Sequence, residues 1–176
     1  MRTALSIAGV AIFVLTAPGT ALAQGSGAEA RLKQLNITLP ADQAPAANFV
    51  NSVQAGKLLF LSGNTPGGQW PLKGKVGKDL TVEQGYESAR QTGLIMLGKI
   101  RTALGSLDRV KRVVKVLGMV NSADGFSDQP KVVNGFSDLM VEVFGEAIGK
   151  HARSAVGMAG LPGNAPVEVE MIVEVE

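Results

Sequence analysis

The sequence predicts an α+β domain with a mixed five-stranded sheet and two helices in the order β-β-α-β-α-β-β. Three observations lead to this prediction. A capping box at Thr81 and Gln84 opens a helix with an apolar face that ends at Gly105. A β-branched run at 110–120 is typical of a buried strand. Apolar residues alternate with glutamates from 167 to 175, which indicates a strand with one buried face.

The remaining elements follow from turn signals and periodicity. Two apolar runs at 48–54 and 57–62 flank Ala55 and Gly56, which predicts a hairpin, and the Gly- and Pro-rich segment 63–78 is typical of a loop. A second helix is expected from a cap at Ser127 to Gly145, and residues 152–159 are expected to form a strand. Because helices separate strands, we expect crossover connections with both helices on one face of the sheet. The predicted buried stripe of the second helix is Val133, Phe136, Met140 and Phe144.

The amino terminus has the pattern of an export signal. Arg2 supplies the charged region, an apolar run extends from 4 to 15, and Ala21-Leu22-Ala23 matches a cleavage site. We expect a signal peptide at 1–23, a flexible leader at 24–30 and a single domain at 31–176, located in the periplasm or secreted. The alternatives are a buried N-terminal helix or an uncleaved membrane anchor, although the apolar run is short for a bilayer. After cleavage no membrane association is expected.

Composition excludes several classes of function. The chain has 176 residues, no cysteine and one histidine, so ordinary zinc sites are excluded and no metal is expected. The formal charge is +2, and removal of Arg2 with the signal lowers it by one. Without a basic run, nucleic acid is not an expected partner. The loop after Gly63 lacks the lysine of a phosphate-binding loop.

Several segments, taken together in order and spacing, resemble the reactive-intermediate deaminase family, also called Rid or YjgF. The resemblance covers about residues 31 to 176. It implies a chorismate-mutase-like fold, a homotrimer with clefts between subunits, and hydrolysis of short-lived enamines or imines to 2-keto acids and ammonia without a cofactor. The matching segments are 59–64, 85–98, 107–110, 133–135, 152–156, 161–162 and 167–170.

The resemblance implies two catalytic residues. Arg153 of the Ala-Arg-Ser motif would hold the substrate carboxylate, which suits the planar fork of a guanidinium. Its alternative role is a structural ion pair. Glu168 would position or activate water, because a carboxylate in a closed cleft can serve as base or acid. The alternative is a solvated strand carboxylate, like Glu170 or Glu174.

Further pocket residues also follow from the resemblance. Gly63 would let the substrate approach the backbone, and Ser62 and Asn134 match positions near the family pocket; Asn134 could instead be a helix-surface or capping group. Phe49 stands where well-studied members carry a tyrosine, so that hydroxyl is absent, and Ala155 replaces a common cysteine. His151 would either carry protons or shape the cleft as a loop residue.

Three functions remain open at this stage. The first is enamine or imine deamination at a site that binds a small carboxylate. The second is a non-catalytic trimer that binds a small carboxylate or acts as a stress or chaperone-like factor, which the missing hydroxyl and the export signal favour. The third, RNA cleavage, has little electrostatic support from a nearly balanced charge.

The export signal makes the first testable prediction. Native protein should begin at Gln24, because the small residues before it match a signal-peptidase site. N-terminal sequencing of protein purified from its own cells measures this directly. An intact Met1 on soluble cytoplasmic protein would contradict the prediction.

Overall fold

The computed structural model describes residues 27–45 and 47–176. The predicted signal peptide and residues 24–26 of the predicted leader lie outside the described residues. The elements are α1 (Ala28–Gln34), β1 (Ser52–Ala55), β2 (Leu58–Asn64), α2 (Val82–Leu104), β3 (Val110–Asn121), α3 (Gln129–Phe144), α4 (Glu146–Gly149), β4 (Ala152–Met158) and β5 (Val167–Val175).

The five strands form one mixed sheet in the order β1-β2-β5-β3-β4. β5 lies at its centre, where Met171 pairs with Leu61 of β2 on one side and Val116 of β3 on the other. β3 and β4 are parallel, and the other neighbouring strands are antiparallel. A parallel pair needs a crossover connection, and α3 lies within it. The predicted α+β class, the mixed five-stranded sheet and the succession of its strands and long helices along the chain are therefore confirmed.

The strongest local predictions are also confirmed. The backbone N–H of Gln84 donates to Thr81 Oγ1 at 3.2 Å, and the N–H of Thr81 donates to Gln84 Oε1 at 2.9 Å. Gly105 ends α2 with a φ of 81°, a conformation that glycine adopts without steric cost. β5 has the predicted bounds, and its apolar residues are buried.

Other boundaries differ from the prediction. The flexible leader is predicted to extend to residue 30, but α1 begins at Ala28. Glu29 fixes this helix, because its carboxylate accepts hydrogen bonds from Arg101 at 3.0 and 2.7 Å and from the backbone N–H of Leu107 at 3.0 Å. β1 begins at Ser52 rather than at 48, since the preceding apolar residues are exposed. β2 extends to Asn64, into the predicted loop. Asp128, not Ser127, precedes α3, and it makes no capping hydrogen bond through its side chain.

Both long helices lie on one face of the sheet. A Cβ on Gly118 of β3 would meet the side chain of Val133 of α3, and α2 packs over β5 and β2. The core between these layers includes all four residues of the predicted α3 stripe. The opposite face of the sheet, which we call the outer face, has no described element packed over it. Of the described helices, none combines the length and apolar composition needed to cross a bilayer.

Glycines allow α2 and α3 to approach closely. A Cβ on Gly93 of α2 would lie 2.8 Å from Leu139, and one on Gly135 of α3 would overlap the backbone carbonyl of Tyr86. Polar contacts tie the same helices together at the surface, where the Tyr86 hydroxyl donates to Asp138 at 2.9 Å. A backbone carbonyl cannot rotate away as a side chain can, so the spacing of the helices depends on Gly135.

This contact predicts the effect of Gly135→Ala. The added methyl group must push α3 away from α2, so the free energy of unfolding should fall by about 1–3 kcal/mol. Gly160→Ala is the matched control, because no atom lies within 4 Å of the added Cβ. Its effect should stay within about 0.5 kcal/mol. Chemical denaturation measures both; equal stability of the two variants would contradict the packing argument.

Candidate functional site

Arg153 lies on the edge strand β4, opposite Val116, and its side chain reaches α3 on the helix side of the sheet. Its Nη1 donates to Asn134 Oδ1 and to Ser137 Oγ, both at 2.9 Å. Its Nη2 donates to the backbone carbonyl of Pro130 at 3.4 Å. Three acceptors on one helix therefore fix the plane of the guanidinium.

The charge of Arg153 has no carboxylate partner within ion-pair distance in the described chain. Its three hydrogen-bond acceptors are all neutral, so they orient the guanidinium without cancelling its charge. The structural ion pair considered from the sequence is therefore not formed among the described residues. A partly buried, oriented and uncompensated guanidinium is well suited to binding an anion.

His151 lies two residues before Arg153 and is held at both ring nitrogens. Nδ1 is 2.7 Å from the carbonyl oxygen of Gly149, so Nδ1 carries the hydrogen. Nε2 is 3.1 Å from Ser137 Oγ. Burial lowers the pKa of His151, the bond to Gly149 opposes this shift, and the charge of Arg153 adds to it. The imidazole is therefore neutral at neutral pH, with Nε2 as an acceptor.

These side chains open onto a cavity of about 380 Å³ at the edge of the sheet. We call it the edge cavity. Its walls come from the carboxyl half of α3, from the residues before β4, and from β4 itself. The lining residues are Ser137, Asp138, Val141, Lys150, His151 and Arg153.

Glu168 lies elsewhere, on the outer face of the sheet. It alternates with the buried Val167 and Val169 of β5, so it points away from the helices. Burial raises the pKa of Glu168, and the nearby charge of Glu170 raises it further. A Cβ on Gly63 would overlap Glu168 Oε1, so the absence of a side chain at Gly63 makes room for this carboxylate.

Ser62 lies on the same face, and Phe49 precedes β1. The Ser62 backbone N–H donates to the carbonyl of Asn51 at 3.1 Å, and its hydroxyl donates to the carbonyl of Val50 at 2.6 Å. Phe49 is 55% exposed. Ser62 borders a depression of about 390 Å³, which we call the outer depression. Its lining residues are Val53, Phe60, Leu61, Ser62, Lys115, Leu117, Ser154, Glu170, Met171 and Ile172.

The predicted site residues thus form two groups within one chain. Arg153, Asn134 and His151 meet on the helix side of the sheet. Ser62, Gly63 and Glu168 lie on the outer face, and Phe49 lines neither cavity. The sheet therefore separates Arg153, predicted to bind the substrate carboxylate, from Glu168, predicted to position or activate water.

One residue of the first group was missed from the sequence. Ser137 connects Arg153 to His151, and it lies three residues after Asn134 on α3. Residues at this spacing share a helix face, so the prediction for Asn134 already contained the signal that could have identified Ser137. Within residues 27–45 and 47–176, no three histidine or acidic side chains gather where they could hold a metal ion.

Comparison with known proteins places the chain among relatives of the same size. It is 48% identical over 149 residues to Protein TCP17 of Trypanosoma cruzi, covering 82% of this chain and 92% of that protein. It is 29% identical over 140 residues to 2-iminobutanoate/2-iminopropanoate deaminase of Dermatophagoides farinae, covering 80% and 95%.

A crystal structure from Shewanella oneidensis MR-1 superimposes with a TM-score of 0.81 at 31% identity, over 85% of this chain and 100% of that chain. The model of the family described as "YjgF/chorismate_mutase-like, putative endoribonuclease" matches residues 29–175, and the Shewanella protein bears the same endoribonuclease designation. Since this match spans nearly all the described residues, the chain belongs to the YjgF/chorismate mutase-like family.

Proposed function

We propose that the protein hydrolyses short-lived enamines or imines that carry a carboxylate, releasing a 2-keto acid and ammonia. The observation that carries the proposal is the oriented, uncompensated guanidinium of Arg153 at the edge cavity. The imine deaminase among the relatives supports the same reaction class.

The hydrogen bonds of Arg153 leave a suitable pair of donors for a carboxylate. A guanidinium has five N–H groups. Nη1 uses its two on Asn134 and Ser137, and Nη2 uses one on Pro130. The Nε–H and the second N–H of Nη2 have no acceptor among the described residues. A carboxylate can accept both in the bidentate arrangement that arginine favours.

We propose further that a cleft between subunits unites the two groups of site residues. One chain cannot bring Glu168 to Arg153 across its own sheet, but a neighbouring copy can present its outer face. The outer face supports such an assembly, because it exposes apolar side chains that no described element covers. They include Val53, Phe60, Val156 and Met158.

Binding of a small carboxylate without turnover is the second candidate. It is favoured by the separation of Glu168 from Arg153 within the described chain and by Phe49, which lacks the hydroxyl of better-known members. Both candidates need Arg153 for the ligand, so binding and turnover must be measured separately. The family's endoribonuclease designation is a weaker third candidate, since a formal charge of +2 attracts a polyphosphate only slightly.

Arg153→Lys tests the site and the function together. Lysine keeps the charge but loses the two parallel donors, so 2-ketobutyrate affinity should weaken by about 1.5–3 kcal/mol while folding persists. Calorimetric titration measures the affinity. A coupled assay that generates imines in situ from several amino acids measures turnover, which should be present in the wild type and severely reduced in the variant.

Arg112→Lys is the matched control, because Arg112 is exposed on β3 and makes no side-chain hydrogen bond within the described structure. It should bind and turn over like the wild type. Equal affinity in Arg153→Lys and wild type would remove Arg153 from the site. Tight binding by the wild type without turnover of any imine would favour the binding protein over the enzyme.

The assembly makes a separate prediction. Light scattering on the mature chain should give three times the mass of one chain, because the family resemblance implies a homotrimer and the exposed apolar outer face needs a partner. Phe60, on that face, is 41% exposed, and Phe60→Asp should dissociate the assembly. Leu35→Asp changes a residue that is 45% exposed after α1 and should leave the assembly intact. A wild-type monomer at micromolar concentration would contradict the prediction.

A further inference from the structure

Ser137 makes an unusual hydrogen bond for a hydroxyl inside a helix. Helical serine and threonine commonly donate to the carbonyl four residues earlier. Ser88 and Thr92 of α2 do this at 2.8 and 2.9 Å. The Ser137 hydroxyl of α3 has no such bond in the described structure; its neighbours are His151 Nε2 at 3.1 Å and Arg153 Nη1 at 2.9 Å.

The donor and the acceptor can be assigned in each of the three hydrogen bonds that connect Gly149, His151, Ser137 and Arg153. The carbonyl of Gly149 can only accept, so His151 Nδ1 must donate to it, and neutral Nε2 is left as an acceptor. Arg153 can only donate, so Ser137 Oγ accepts from it. The hydroxyl hydrogen of Ser137 is therefore directed to His151 Nε2.

We propose that Ser137 and His151 form a proton relay that serves the ligand bound at Arg153. This inference rests on the proposed function and deepens it: Ser137 is the group that touches the substrate or its water, and His151 acts through Ser137 by holding the proton. Both side chains line the edge cavity, where the free donors of Arg153 would hold the substrate carboxylate.

Ligand binding should control the protonation of His151. Without a ligand, a proton on Nε2 would point at an oxygen that already accepts from Arg153, and it would add a second positive charge beside that residue. Burial and the charge of Arg153 accordingly lower the pKa of His151. A carboxylate bound to Arg153 would offset this charge and raise that pKa. Asp138 and Lys150, which also line the cavity, carry opposite charges.

The relay completes the hydrolysis without any further reactant. Water attacks the carbon of the protonated imine, the C=N electron pair moves to nitrogen, and a water proton passes through the Ser137 hydroxyl to His151 Nε2. His151 returns this proton through Ser137 to the amine. The C–N bond then breaks as the oxygen forms the keto group, and the remaining hydroxyl proton leaves with ammonia as ammonium. Protonated imine and water thus give keto acid and ammonium.

Nuclear magnetic resonance on the wild-type protein provides a direct test, because the chain contains a single histidine. The imidazole nitrogen signals should show the tautomer protonated at Nδ1 and a pKa below about 6.5, the ordinary value. Saturation with 2-ketobutyrate should raise that pKa. Calorimetric titration in buffers of different ionisation enthalpy should then show uptake of a fraction of a proton on binding.

Variants test whether the relay is used in turnover. His151→Gln preserves an acceptor for Ser137 but cannot hold a proton, so proton uptake should disappear and kcat for imine hydrolysis should fall by roughly 10²–10⁴-fold. Its 2-ketobutyrate affinity should change only a few-fold. Ser137→Ala should also lose kcat, and Ser137→Thr, which restores the hydroxyl, should recover it. Lys57→Gln removes an exposed charge between β1 and β2, at the opposite edge of the sheet from β4, and should keep proton uptake and kcat.

The outcomes separate this inference from the function on which it rests. A tautomer protonated at Nε2, a pKa unmoved by 2-ketobutyrate, or full kcat in His151→Gln would overturn the relay and leave the deaminase proposal standing. A wild type that binds 2-ketobutyrate with proton uptake but hydrolyses no imine would support the coupling of His151 to the bound ligand and overturn both the deaminase and the use of the relay in turnover. Failure to bind 2-ketobutyrate would overturn both.

Discussion

The parallel pairing of β3 with β4 requires the chain to return along the sheet before β4 begins, and α3 occupies that return. Because the crossover lies over the pair that it connects, one side of α3 packs on the core and its neighbouring side reaches the edge strand. Arg153 therefore finds its three acceptors on α3. Gly135 against the Tyr86 carbonyl sets the spacing of α3 from α2, and the same helix α3 lines the edge cavity.

The helices cover one face of the sheet and leave the other without a described layer. Along β5 this division gives valines and Met171 to the core and glutamates to the outer face. Glu168 is partly buried there beside Gly63, and its raised pKa reflects that burial before the repulsion from Glu170. The alternation along β5 thus places Glu168 on the outer face, whereas Arg153 of β4 reaches α3 on the helix side. Because the sheet separates them, the proposed cleft needs a neighbouring copy to bring Glu168 to Arg153.

The two arginines that contact α3 differ in whether a carboxylate compensates their charge. Between α2 and α3, Arg90 donates to both carboxylate oxygens of Glu142 at 3.2 and 2.7 Å, so that charge is compensated. On the other side of α3, Arg153 donates only to neutral acceptors. The first arginine joins structural elements, whereas the second remains able to attract an anion. The neutral state of His151 follows from its burial and from this charge.

The sequence by itself determined the α+β class, the succession of strands and long helices along the chain and the capped helix α2, because periodicity and capping are local properties. Its resemblance to the family also indicated Arg153, Asn134 and His151 individually. Only the tertiary structure decided that Ser137 joins them, that Glu168 lies across the sheet, and that α1 begins at Ala28 through the bonds of Glu29 to Arg101 and Leu107. These outcomes depend on contacts between residues distant in the chain, which no local pattern encodes.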